Sequence, residues 1–169
     1  MTTRKHTLYL VRHAIAAQPG KDWPDDSKRP LTPKGIARMR KAVQGLRALD
    51  VRIDLVLSSP LVRAMQTAEI LVHGLKPAPP LNVLAALAPG VAPPQLAHAL
   101  EHFRKASCLA LVGHEPGIGE VAAWLTGARA PLPFKKGGIC RIDVSALPPT
   151  GNGQLIWMAT PRMLRALGN

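Results

Sequence analysis

The chain has 169 residues, 47% of them hydrophobic, which is enough for one domain with a real core and excludes a disordered protein. Its 22 Lys and Arg outweigh 10 Asp and Glu, a formal net charge of +12, so partners are expected among anions: phosphorylated groups, acidic proteins or nucleic acid. Two cysteines, Cys108 and Cys140, are too few for a disulfide framework and read as reduced, buried thiols of a cytoplasmic protein.

In chain order, Arg4-Lys5 and the apolar run Thr7 to Val11 superficially resemble an export signal. The run is too short for one, and Arg12-His13 interrupts it. It reads instead as a first strand that ends on a cation and an imidazole, with small Ala14 next. No stretch approaches the length of a membrane span. After a polar loop, Gln18 to Leu31, Thr32-Pro33 predicts a helix start, with Thr32 as N-cap and Pro33 in the first turn. Ile36, Met39, Val43 and Leu46 follow at helical spacing, and the helix is expected to end near Asp50.

A second strand, Ile53 to Ser58, runs into Ser59-Pro60, read as another cap-then-proline start. The helix it opens buries Leu61, Met65, Ala68 and Leu71 and stops near Gly74. Lys76 to Pro94 is proline-rich loop with a short strand at Asn82 to Leu84. Leu96, Leu100 and Phe103 mark a third helix from about Pro94. Cys108 to Gly113 is apolar without alternation, as in a strand buried on both faces. It ends at His114-Glu115, and Pro116 opens a fourth helix. Gly138 to Val144 and Gln154 to Ala159 predict an antiparallel hairpin across the turn at Pro148 to Gly153. The pattern gives an α/β fold, a three-layer α/β/α sandwich with a mainly parallel central sheet and a C-terminal antiparallel hairpin. Residues 1–169 are expected to form a single domain.

Parallel strands would bring Arg12, His13, Ser59, Arg63 and His114 to one edge of the sheet, where ligands bind in open α/β folds. Two guanidiniums, two imidazoles and helix amino termini at one point suit a phosphate, because arginine forks match phosphate oxygens. Other features are read as structural. His98 and His102 lie four apart, but the spacing is not His-Glu-x-x-His and reads as a solvated helix face. Gly113 to Gly119 matches neither the dinucleotide fingerprint nor the P-loop. Lys135-Lys136 reads as a solvated loop, with contact to an acidic partner as the alternative. His6 and His73 have no evident partners.

Arg12-His13 after a strand resembles the Arg-His-Gly motif of the histidine phosphatase (phosphoglycerate mutase-like) superfamily. Three further stretches resemble the following motifs of its SixA-type phosphohistidine phosphatase branch. They are Arg29-Pro30-Leu31-Thr32-Pro33-Lys34-Gly35, Ser59-Pro60-Leu61-Val62-Arg63-Ala64-Met65-Gln66-Thr67 and Gly113-His114-Glu115-Pro116. Gly151-Asn152-Gly153 leading to Trp157 is similar to that branch's last hairpin. The resemblance implies that His13 is the nucleophile and that Arg12, Arg63 and His114 cradle the phosphoryl oxygens. Arg29 and Ser59 complete the expected substrate-binding set. It implies a metal-independent enzyme without a cofactor, acting on a phosphohistidine-bearing signalling or phosphotransfer protein. A small phosphorylated molecule is the alternative substrate.

Two positions depart from the pattern. Ala14 replaces the usual Gly, a small change expected to be tolerated. The superfamily usually carries a carboxylic general acid after the second helix, and Leu84-Ala85-Ala86-Leu87-Ala88-Pro89 has none. Glu115 and Asp26 are the candidate substitutes. A missing acid matters less when the leaving group is an imidazole, whose conjugate acid has a pKa of about 6.5, than when it is a basic alkoxide. A basic nucleic-acid-binding or phosphoprotein-binding module is the alternative from another class. Aromatics at 4% and no stacking motif speak against nucleic acid, and the intact Arg12, His13, Arg63 and His114 speak against a dead binding domain.

Overall fold

The computed structural model describes residues 5–168; Arg4, part of the basic start discussed above, lies outside the described residues. The strands are β1 (His6–Arg12), β2 (Leu55–Ser58), β3 (Leu81–Val83), β4 (Cys108–Gly113), β5 (Ile139–Val144) and β6 (Gln154–Ala159). The helices are α1 (Pro33–Ala48), α2 (Val62–Gly74), α3 (Pro93–Ala99), α4 (Gly117–Thr126) and α5 (Pro161–Leu167). Short 3-10 turns occupy Asp26–Lys28, Ala85–Leu87 and Leu100–Phe103. The strands form one six-stranded sheet in the order β3-β2-β4-β1-β5-β6. The first four are parallel, and β5 and β6 form the antiparallel hairpin, with a register shift between Arg141 and Ile142.

Side-chain alternation along β1 sends residues to both layers. Tyr9 and Val11 join the core beneath α1, α2 and α5, while Leu8 and Leu10 join the core beneath α3 and α4. All four are nearly or fully buried, each contributing roughly 2 kcal/mol of apolar burial. The cap signal at Thr32 is realised: its hydroxyl accepts from the Gly35 amide at 3.0 Å. A Cβ on Gly35 would collide with the Ile15 carbonyl, so glycine lets α1 pack directly on the segment that follows β1.

Two elements differ from the sequence reading. The second helix starts at Val62 with no side-chain cap, not at Pro60. The Ser59 hydroxyl, expected to cap it, is engaged by the His114 ring and by the Leu61 amide. A fifth helix, α5, follows β6; Thr160-Pro161 repeats the Thr32-Pro33 signal, and the Thr160 hydroxyl accepts from the Met163 amide at 3.3 Å. His6 and His73 do have partners, the carbonyls of Ala106 and Glu69. No helix of the described residues is long and apolar enough to cross a membrane.

Candidate active site

The register of the sheet assembles the site. Arg12 pairs with Gly113 and Ser58 with Val112, so the residues just beyond β1, β4 and β2 emerge together. The ladder continues past the strand ends: the amides of His13 and Ser59 donate to the carbonyls of Gly113 and Val112, both at 3.0 Å. The rings of His13 and His114 lie 5.2 Å apart, centroid to centroid. His13, Arg63 and His114 are all at least 93% buried.

The hydrogen-bond partners assign both imidazole tautomers. His13 Nδ1 lies 2.7 Å from the Ala14 carbonyl, which only accepts, so Nδ1 carries the hydrogen and Nε2 the lone pair. Ser59 Oγ accepts from the Leu61 amide and lies 2.8 Å from His114 Nε2. Among the described residues its hydrogen has no other acceptor, so Ser59 donates to Nε2 and His114 carries its hydrogen on Nδ1. Burial pushes His13 down to about 4, helped by the charges of Arg63, Arg12 and Lys136 and opposed by the Ala14 bond. Burial pushes His114 to about 3, with His13 and Arg63 adding to the effect. Both rings are therefore neutral at physiological pH, one offering a lone pair and the other an N–H.

The arginines are held by oxygens that leave part of each fork free. Arg12 donates through Nη1 to the Phe134 carbonyl at 2.6 Å. Arg63 donates to the Asp26 carbonyl at 2.8 Å and to its carboxylate at 2.9 Å. Arg29 holds the other oxygen of Asp26 at 2.7 Å and the Ala17 carbonyl at 2.6 Å. Among the described residues, three buried side-chain nitrogens have no partner: Arg12 Nε, Arg63 Nε and His114 Nδ1. All three belong to this site and all are donors. A group of N–H donors left without acceptors in a buried place is costly unless an acceptor arrives, and an oxyanion supplies only acceptors.

Thr67 and Gln66 lock the frame, a role the sequence did not assign them. The Thr67 hydroxyl donates to the Arg63 carbonyl and accepts from the Ala14 amide at 3.0 Å, tying the turn after β1 to α2. Gln66 accepts from the Leu31 amide at 2.7 Å and so fixes the Arg29–Leu31 segment. Ala14 is buried in the core at this turn.

Both candidate acids already accept hydrogen bonds. Asp26 braces the two arginines. The Arg29 hydrogen bond and the Arg63 charge, outweighing burial, hold its carboxyl below the usual range. Glu115 turns away from the ring of its neighbour: Oε1 accepts from the Phe134 amide at 2.7 Å and Oε2 from the Gly119 amide at 3.3 Å. The segment around Leu87 walls a cavity of about 300 Å³ that His114 also lines, where Glu115 and Glu120 are the carboxylates present.

A deep sheet edge carrying an Arg-His pair, a second Arg and a second His defines a phosphoryl-handling α/β protein. The histidine phosphatase superfamily (branch 1) matches residues 8–88. The phosphohistidine phosphatase SixA of Escherichia coli is 32% identical over 162 residues, covering 94% of this chain and 96% of its own length. An uncharacterised protein of Picosynechococcus sp. is 37% identical over 166 residues, covering 93% of this chain and 98% of its own. The solved structure of a protein histidine phosphatase SixA complexed with tungstate superposes with a TM-score of 0.81 at 27% identity, covering 92% of this chain and 97% of that one. The chain belongs to the histidine phosphatase superfamily.

Proposed function

We propose that this chain hydrolyses phosphohistidine on a protein substrate, through a phosphohistidine intermediate formed on its own His13. The observation that carries the reading is the trio of buried, unpartnered donors, Arg12 Nε, Arg63 Nε and His114 Nδ1, beside an imidazole whose Nε2 keeps its lone pair. The tungstate complex of the related SixA structure fits this, since tungstate is a tetrahedral oxyanion of phosphate's shape.

In the first step His13 Nε2 attacks phosphorus in line. The new P–N bond forms as the substrate's P–N bond breaks, and the electron pair leaves on the substrate imidazole. A substrate ring protonated on its other nitrogen departs as neutral imidazole, so neither Asp26 nor Glu115 needs to deliver a proton. Arg12 and Arg63 hold equatorial oxygens as negative charge builds, and His114 donates from Nδ1. In the second step water attacks the phosphorus on His13. Phosphate leaves and Nε2 regains its lone pair. The buried Ala14 carbonyl holds Nδ1–H throughout and keeps the ring aimed.

The partner on this reading is a phosphohistidine-bearing signalling or phosphotransfer protein of the cytoplasm. The two free thiols fit that compartment. The test is rapid quench with a protein labelled on phosphohistidine. Acid-labile, base-stable label is expected on His13, and His13→Ala is expected to abolish turnover. Activity is expected to survive a chelator, since Arg12 and Arg63 supply the positive charge. Turnover by His13→Ala, or label on a serine, overturns the mechanism.

A further inference from the structure

A large cavity opens beside the site and is not used by the chemistry above. It has a volume of about 580 Å³ and begins at Arg12 and Ala14. It runs between the first turns of α1, the loop around Lys136 and the start of α5. Its walls carry Arg38, Lys135, Lys136, Arg162 and Arg165, and among the described residues no carboxylate lines it. Arg38, Lys135, Lys136 and Arg162 are exposed, Arg165 is half-buried, and none of the five forms an ion pair with another of the described residues. The floor is apolar, from Ile15, Met39 and Pro161.

We propose that this groove docks an acidic segment flanking the phosphohistidine of the protein substrate. The inference rests on the phosphatase reading above and adds the substrate's local chemistry to it. Several like charges around one concavity repel one another and focus a positive potential into it. Carboxylates entering the groove relieve that repulsion, while an aliphatic residue between them covers the Met39 floor. The groove is continuous with the site, because Arg12 belongs to both and the charge of Lys136 is felt at His13. A segment seated in it therefore lies next to the phosphoryl group. Single-stranded nucleic acid is a poorer match, because no aromatic side chain lines the groove for bases to stack on.

The test compares three probes: free phosphohistidine, a glutamate-rich peptide carrying one phosphohistidine, and the same peptide with lysines for glutamates. The protein is expected to prefer the acidic peptide by about tenfold or more in kcat/KM, mainly through KM, with the preference shrinking at high salt. The triple variant Arg38→Glu/Lys135→Glu/Arg162→Glu changes only exposed side chains. It is expected to lose or invert the preference while its turnover of free phosphohistidine stays within about twofold. Equal kcat/KM for the two peptides overturns the docking proposal and leaves the phosphatase reading standing. So does an equal loss by the variant on all three probes, which would make the cations a field acting on His13. Absence of free-phosphohistidine turnover and of label on His13 overturns the phosphatase reading instead. The docking proposal is then judged by binding of the unphosphorylated acidic peptide to wild type and variant. Tighter binding of a single-stranded oligonucleotide than of that peptide overturns it in favour of nucleic acid.

Discussion

Replacing Glu115 by Gln separates two roles for a carboxylate next to the His114 imidazole. Glu115 reaches the site through a relay: its carboxylate holds the Phe134 amide at 2.7 Å, and the Phe134 carbonyl holds Arg12 at 2.6 Å. A hydrogen bond to a charged group contributes about 1.5–3 kcal/mol. Glutamine keeps a neutral acceptor for Phe134 but turns an NH2 toward the Gly119 amide, donor against donor. The expected cost is about 2 kcal/mol of stability, and about 3 kcal/mol for Glu115→Ala. If about 1.4 kcal/mol of that loosening reaches Arg12 in the transition state, turnover falls roughly tenfold. The assay measures kcat/KM for free phosphohistidine and for a series of aryl and alkyl phosphates of rising leaving-group pKa. A residue that only positions Arg12 lowers every member by the same factor and weakens inhibition by inorganic phosphate in step. A general acid instead gives losses that grow with leaving-group basicity and removes the basic limb of the pH profile. That second pattern would refute the relay and return Glu115 to the role of acid.

Acid should destabilise the protein through its site. His13 has a folded pKa of about 4 against about 6.5 unfolded, so the unfolded chain binds the extra proton between those values. Stability is then lost as pH falls through that window, by about 3 kcal/mol from His13 alone, and denaturant melts of wild type and His13→Ala should diverge in slope there. The acid limb of kcat/KM is expected near pH 4 rather than 6.5; a limb near 6.5 would show that His13 is not held neutral by burial. Arg63→Ala should slow turnover by about a hundredfold or more, and a loss under tenfold would remove Arg63 from the transition state. Phosphate and vanadate should compete with substrate and raise the melting temperature of the wild type, and should do neither in an Arg12→Ala/Arg63→Ala double variant.

Much of this architecture is written in local signals. Thr32-Pro33 marks α1, and the unbroken apolar run Cys108 to Gly113 marks a central strand. Once the strands are parallel, the ends of β1, β2 and β4 must meet. Thr160-Pro161 carries the same helix signal as Thr32-Pro33, yet α5 spans only seven residues with one buried apolar side chain, too little periodicity to announce itself. Ser59 misleads for a different reason: its hydroxyl serves the His114 ring, so a site residue looks like a cap. The oxygens that aim the site are mostly main-chain. Nothing in a sequence distinguishes the carbonyls of Ala14, Ala17, Asp26 and Phe134 from any others. Gln66 and Thr67 stand one turn beyond Arg63 on α2, and that spacing is the one clue to their bracing role.

The placement of β1 between β4 and β5 gives the two halves of the cradle different lifetimes. His13 and His114 hang from the most enclosed ladder of the sheet, and the His13 amide is bonded to Gly113. Exchange of that amide with solvent requires the central strands to part, which is close to unfolding the whole molecule. Arg63 is steered instead by Asp26, on a short 3-10 turn with no buried residue, in a loop that can fray on its own. Mild denaturant is therefore expected to release the guanidinium from its brace while the two imidazoles stay in register, so that binding of phosphate or vanadate fades before the fold does.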